Sequence, residues 1–492
     1  MRTNTKLMIA AVIATLSSSL PTCVAQQSAS APAPHQEMPM HYHMDIPPVE
    51  PVYPRLGRPQ EQAQGKLFTL DEAQHIAAEA NPTLRQAEAE IRAAKARIQQ
   101  AGLYPNPSVG YTGDEIRGGS INGGKQGFFA QQTVITGGKL GKNRSVFEQE
   151  SHLAELEAEE QKTRVETAVK IAFYRVLAAQ ELLELRRDLS QIGLAYQQSQ
   201  SDLVRTGQVD DAEQLETDIE VQRLHLAAFE QENVVREQWR KLAAVLGQPS
   251  LPQTTVAGNL EQGWPEINEE QILNTIATLS PAARIADSAS GRAAAEIAKA
   301  KSQAVPDLNL RGGFEYNNEL LESIPRAIGW EGFAEVGVQL PLFNRNQGNI
   351  AEARAELDRA QLEKQRVELV LRERASSLLD QYATAKVISS QYRDSILPAA
   401  KKANTLLTEK YGMMLAAYPR MLEARRKNFE LEAEYVRTLE TVWTTSFALQ
   451  GFLLTDGLEA PARPSEVDHP LRETNMPMQE GSFAPSTQTA FP

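Results

Sequence analysis

Two kinds of periodicity alternate along the chain, and each occurs in both halves. Val165, Val169, Ala172, Val176, Ala179 and Leu183 recur at spacings of four and three. So do Leu371, Ala375, Leu378, Tyr382, Ala385, Ser389, Tyr392 and Ile396. Side chains three and four apart share a helix face, so each set predicts a heptad seam of the kind that packs in left-handed coiled coils. Several seam residues are small, which lets neighbouring helices approach closely. No proline interrupts residues 142–206; at about 1.5 Å per residue this predicts a rod of roughly 90–100 Å. On the helices alone, a cytoskeletal or periplasmic coiled-coil scaffold fits as well as anything else.

Shorter segments alternate with a period of two. In residues 308–316, Leu308, Leu310, Gly312, Phe314 and Tyr316 occupy one phase and mostly polar residues the other. In residues 333–342, Val336, Val338, Leu340 and Leu342 alternate with Glu335, Gly337 and Gln339, while residues 108–113 and 127–136 alternate more weakly. Successive side chains of a strand point to opposite faces, so each segment predicts a strand with one apolar face. The lengths suit the ~9–11 residues of a tilted membrane strand. Tyr104, Tyr111, Phe128, Phe129, Tyr316, Trp330, Phe333 and Phe343 cluster near the strand ends as candidate interfacial girdles. Half-buried strands of a soluble domain would alternate in the same way. If the strands do enter lipid, four are too few to close a barrel, since membrane barrels begin at ~8 strands and an open edge leaves backbone groups unpaired. An oligomer would then follow, with residues 117–126 and 317–328 as the outer turns.

The order of these segments repeats. Leu70-Asp71-Glu72-Ala73, leading to Asn81-Pro82, parallels Ile267-Asn268-Glu269-Glu270, leading to Ser280-Pro281. Each opens an Ala-rich helix, with Asp71 and Asn268 as expected N-caps. Each helix ends at a proline, Pro105 or Pro306, followed by alternating residues. The chain therefore reads as an internal duplication, residues 67–262 and 263–456, each containing a helix, two strands and long helices. Residues 26–66, rich in Pro, Met and His, and the tail 457–492 lack sustained periodicity and read as disordered.

Composition narrows the function. A formal net charge of −13 repels phosphates, and no dense basic cluster reverses this locally, which excludes nucleic acid. Arg2 and Lys6 precede an apolar run over residues 7–16, so residues 1–25 predict a secretory signal peptide. The only cysteine, Cys23, lies within it, which leaves no intrachain disulfide. Pro21 and Thr22 are poor neighbours for a lipidated Cys23, so cleavage after Ala25 is preferred over lipidation. No later apolar run approaches the ~18 residues of a spanning helix. Any membrane crossing must use strands.

With these elements in place, the chain resembles the TolC-type outer-membrane efflux family over residues 67–456. Two motifs carry the likeness, together with the two turn signatures described below. One is Gln132-Thr133-Val134-Ile135-Thr136-Gly137-Gly138-Lys139, and the other is Gln339-Leu340-Pro341-Leu342-Phe343-Asn344-Arg345-Asn346-Gln347-Gly348. The Pro-Leu-Phe-Asn-Arg-Asn-Gln-Gly run is most similar to the heavy-metal efflux branch, of copper/silver or cobalt/zinc/cadmium type. The resemblance implies a mainly α fold with a small β part. Three protomers would join four strands each into one twelve-stranded outer-membrane barrel, continued by a long α-helical barrel in the periplasm. It also implies a homotrimer working with a periplasmic adaptor, or membrane fusion, protein and an inner-membrane RND transporter. Drug efflux and type I protein secretion use the same kind of duct.

The family closes its aperture where paired helices turn at the periplasmic end. The matching turns here run over residues 205–216, with Gly207, and residues 411–424, with Gly412. By this likeness Asp210, Asp211, Glu213, Glu216, Arg420 and Glu423 are the candidate gate residues; repeated by symmetry, they would form a charged ring. Arg420 departs from the acid expected there.

His35, Met38, Met40, His41, His43 and Met44 stand together in the leader. Imidazole and thioether suit soft ions, so weak Cu(I) or Ag(I) binding is expected there if it is more than biased composition, and copper or silver is the expected cargo. No cofactor and no catalysis are expected: His75, His152 and His225 are scattered on helices, without a zinc-protease pair, nucleophile elbow or phosphate loop.

Overall fold

The computed structural model describes residues 67–115, 124–206, 210–321, 324–413 and 418–461. Helices α1 (Leu70–Ala80) and α2 (Pro82–Ala101) lead to strands β1 (Ser108–Asp114) and β2 (Lys125–Val134). The long helix α3 (Lys139–Arg205) and its return α4 (Asp211–Val245) follow. The order then recurs as α5 (Glu269–Leu279), α6 (Pro281–Ser302), β3 (Leu308–Leu321), β4 (Ile324–Val338), α7 (Gln347–Gln391), α8 (Leu397–Gly412) and α9 (Tyr418–Gln450).

Local chemistry sets the boundaries. The single helix read through Asn81-Pro82 is two helices, because Pro82 cannot donate an amide proton and Asn81 caps the new start, its Oδ1 accepting from the Thr83 amide at 2.9 Å. Thr69, not Asp71, is the N-cap of α1, accepting from the Glu72 amide at 3.2 Å. Asn268 caps α5 as expected, accepting from the Gln271 amide at 3.0 Å. Between α7 and α8 lies a π-helical turn, Tyr392–Ile396. Pro398 lacks the amide proton of a regular helix and its ring crowds the carbonyl of Asp394; widening the preceding turn relieves that clash.

α3 has 67 residues, so it extends about 100 Å. Its predicted seam is buried at Val165, Val169, Val176, Ala179 and Leu183 and half-buried at Ala172. Ala168, Ile171, Phe173, Leu177, Ala178 and Leu182 are buried too, so burial here spreads well beyond one stripe, although Glu166 and Arg175 stay exposed. The wrapping comes from α1, α9 and the segment linking α4 to α5; Phe68, Leu260, Trp443 and Phe447 join the same core. Trp239, Trp264 and Trp443, three of the chain's four tryptophans, donate their indole protons to Leu251 or Leu260 carbonyls of that linking segment. Phe68 pairs with Val256 as a parallel bridge. In α7, Leu371, Ala375, Tyr382, Ala385 and Ser389 are buried as the seam predicts, with Leu379 in place of Leu378.

The strands form one antiparallel sheet in chain order, β1-β2-β3-β4. β3 and β4 are longer than the alternation suggested, so most of the expected outer turn 317–328 is strand; the ladder tolerates a shift between Asn317 and Leu320. The expected strand 333–342 ends at Val338, ahead of Pro341, which has no amide proton to give a ladder. Residues 457–461, read as part of the tail, are held in place: the Gly457 carbonyl accepts from Asn81 and that of Glu459 from Gln161.

Candidate functional site

The register divides the sheet into two chemically distinct faces. Cross-strand partners share a face, and the pairs Val109↔Ala130, Tyr111↔Phe128, Phe128↔Phe314, Leu310↔Val336 and Tyr316↔Trp330 build an apolar one. Phe128, Phe314, Trp330 and Val336 on it are 70–72% exposed, so nothing within the described chain covers them. Tyr111 meets Phe128 edge-on at 5.8 Å, and Tyr316 meets Trp330 at 5.5 Å.

The opposite face carries Asp114, Lys125, Arg311, Glu315, Glu331 and Glu335. Lys125 Nζ lies 3.4 Å from Glu331 and 3.8 Å from Glu315, and Arg311 Nη1 lies 3.5 Å from Glu335. Phe129 and Phe333 belong to this polar face, not to a girdle with the other aromatics. Phe128 and Phe129 are consecutive and cannot share a face, and Phe333 is out of phase with Val336 and Val338. The arginine they flank was not singled out from the sequence, although a cation in the polar phase of an apolar-alternating strand was a visible signal.

Strand-to-helix junctions explain the motifs that carried the family likeness. Gly137 and Gly138 both have positive φ, 66° and 68°, and turn the chain from β2 into α3. A Cβ on Gly137 would lie 2.7 Å from Val305, so only glycine fits. Lys139 then reaches Asp307 at 2.8 Å, and Asp307 also accepts from the Thr136 amide at 3.0 Å. In the second half Asn346 takes the same left-handed conformation, φ 59°, at the start of α7, and its side-chain amide donates to the Ala300 carbonyl at 2.7 Å.

The first turns of α4 and α9 lie at a common end. Glu220 and Arg426 pair across α4 and α9 at 3.8 Å, and each is about 12–14 Å along its helix from that helix's first residue. Asp210, Asp211, Glu213, Glu216, Arg420 and Glu423 are all exposed at that end. Asp211 and Glu213 sit in the first turn of α4, where the helix dipole favours acids. Among the described residues no ion pair joins any of the six to another. Gly412 ends α8. Gly207, Cys23 and the leader residues His35, Met38, Met40, His41, His43 and Met44 lie outside the described residues.

No described helix is long and apolar enough to cross a membrane. Among the described residues no group of three or more His, Cys, Asp or Glu is placed to hold a metal ion. His75, His152 and His225 stand apart on α1, α3 and α4.

Comparison with known proteins agrees with this architecture. The cobalt-zinc-cadmium resistance protein CzcC of Cupriavidus metallidurans is 24% identical over 407 residues, which cover 82% of this chain and 92% of that protein. The fold matches crystal structures of CusC, described as forming a transmembrane channel, with a TM-score of 0.63 at 16% identity over 78% of this chain and 91% of that one. It also matches the Campylobacter jejuni CmeC outer membrane channel, with a TM-score of 0.64 at 16% identity over 81% and 88% of the two chains. The outer membrane efflux protein family model matches residues 74–248. In its two-faced sheet and long paired helices the chain is similar to these proteins, and over residues 74–248 it resembles the outer membrane efflux protein family.

Proposed function

We propose that the protein is the outer-membrane exit duct of a tripartite metal-efflux system, a homotrimer whose sheets close into one twelve-stranded barrel. The observation that carries this reading is the sheet itself. It has an apolar face exposed along all four strands and two unpaired edges, β1 and β4. Lipid would cover such a face, but lipid cannot satisfy the open edges. Joining the β4 edge of one copy to the β1 edge of the next meets both demands. The polar face then lines the lumen, and α3, α4, α7, α8 and α9 continue the wall into the periplasm. There the turn at Asp210, Asp211, Glu213 and Glu216 and the turn at Arg420 and Glu423 would form the gate. The repeated element order supports descent of the two halves from one unit.

For cargo we favour metal ions. The likeness to a cobalt-zinc-cadmium resistance protein and the His/Met leader, weakly suited to Cu(I) or Ag(I), both support this. An adaptor protein and an RND transporter would complete the pathway. Purified protein should conduct ions in planar bilayers, and a monomer without conductance would refute the duct. Deletion should sensitise cells to at least one of copper, silver, cobalt, zinc and cadmium; unchanged tolerance to all five would remove the metal cargo and leave an organic solute duct.

A further inference from the structure

Across the polar face of the sheet runs a row in which glycine and phenylalanine alternate. Gly110 pairs with Phe129, Phe129 with Gly313 and Gly313 with Phe333, one residue from each strand. A Cβ at Gly110 would lie 2.6 Å from Phe129 Cζ, and one at Gly313 would lie 2.9 Å from Phe333 Cε1. Each ring therefore lies down over the glycine beside it, which leaves its face open. Arg311 stands two residues before Gly313 and so on the same face. Its guanidinium carbon sits 4.5 Å from the centre of the Phe129 ring and 5.4 Å from that of Phe333.

From this arrangement we infer that Arg311 is a specificity-determining residue of the duct, a guanidinium fixed in the barrel lumen that limits cation passage. The inference rests on the polar face being the lumen wall. Two aromatic faces attract the planar cation and restrict its rotamers, so it cannot swing aside as a free arginine would. Its Nε is buried without a hydrogen-bond partner among the described residues, so the rings contribute to holding it. A second cation of this face differs. Lys125 stands between two carboxylates, Glu315 and Glu331, which outweigh its charge. Arg311 has one, Glu335, itself 61% exposed. In a trimer three such guanidiniums stand at one height, and a ring of fixed charge sets the local balance of cations and anions in a pore.

The test is the reversal potential of bilayer-inserted trimers across a KCl gradient whose dilute side is about 0.01 M, where the screening length is about 30 Å. Arg311→Gln should raise the potassium-to-chloride permeability ratio roughly two- to fourfold. Arg311→Lys should stay near the wild type, and Glu335→Gln should lower the ratio. An unchanged reversal potential in conducting Arg311→Gln trimers overturns the inference while leaving the duct intact. Should Arg311→Gln fail to assemble, Glu335→Gln decides alone: a lowered ratio supports the inference and an unchanged one overturns it. A wild-type protein that never conducts removes both the duct and the inference.

Discussion

The side-chain amide of Asn81 donates to the backbone carbonyl of Val245 at 2.8 Å, across 164 positions of sequence. The same amide reaches the Gly457 carbonyl at 3.3 Å, while the Oδ1 accepts from the amide and hydroxyl of Thr83. One fully buried residue thus caps α2, receives the end of α4 and anchors the chain after α9. Replacing Asn81 by alanine removes the cap and strands buried carbonyls. The expected loss is about 3 kcal/mol, seen as a lower midpoint of helix melting by circular dichroism. Asn81→Asp, which keeps the cap but sets a carboxylate against two carbonyl oxygens, should be no better; a melt like the wild type's for either variant would contradict this account.

A second prediction concerns pH. Glu157 is buried on α3, and burial first, then Glu160 and Glu90, pushes its carboxyl from about 4.5 up to about 8. Between those values the folded chain keeps a proton that the unfolded chain has released. Glu157 therefore costs no stability below about pH 4.5, and its contribution turns against folding as pH rises towards 8. Glu157→Gln cannot ionise and should flatten that slope, raising the melting temperature at pH 8 by roughly 2–4 °C while leaving it nearly unchanged at pH 4. Parallel pH dependences of wild type and variant would show that the carboxyl ionises as freely folded as unfolded.

The two faces of the sheet should respond oppositely to charge. Val336→Arg places a cation on the exposed apolar face, where a spanning strand loses about 2–4 kcal/mol near mid-membrane. Asn309→Lys adds the same charge to the polar face. Outer-membrane fractions should retain assembled Asn309→Lys and be depleted of Val336→Arg. Equal recovery of both would contradict a lipid-facing apolar side.

At the helix turns, the Glu220–Arg426 pair links α4 to α9 close to the exposed charges. Both side chains are partly exposed, so Arg426→Ala should change stability by less than about 1 kcal/mol. Its effect should appear in the proposed gate. Freed from α9, the α3–α4 turn should open more often, and single-channel recordings should show a higher open fraction than in the wild type. An open fraction equal to the wild type's would mean that the pair does not restrain the turn.

Much of this protein is written in local order. Side-chain direction follows backbone geometry, with period two in a strand and about 3.6 in a helix. The seams of α3 and α7 and the two faces of β3 and β4 could therefore be read directly from residue spacing. Asn268 announced its helix because a cap acts within three residues. Other local signals lie in the sequence too. Pro82 divides a helix and Pro398 widens one, both through a missing amide proton, and the adjacency of Phe128 and Phe129 already placed them on different faces.

What spacing could not supply was the identity of whatever lies against each face. That α3 is buried beyond its seam depends on Phe68, Leu260 and Trp443 arriving from three distant segments. That Asn81 serves Val245 and Gly457 depends on chain paths that no local rule encodes. The strand alternation marked Arg311 only as polar; the cross-strand register decided that it lies between two phenylalanine rings over a glycine. Local backbone geometry determines where a side chain points, whereas contacts between remote residues determine what it meets, because only the folded chain brings those residues together.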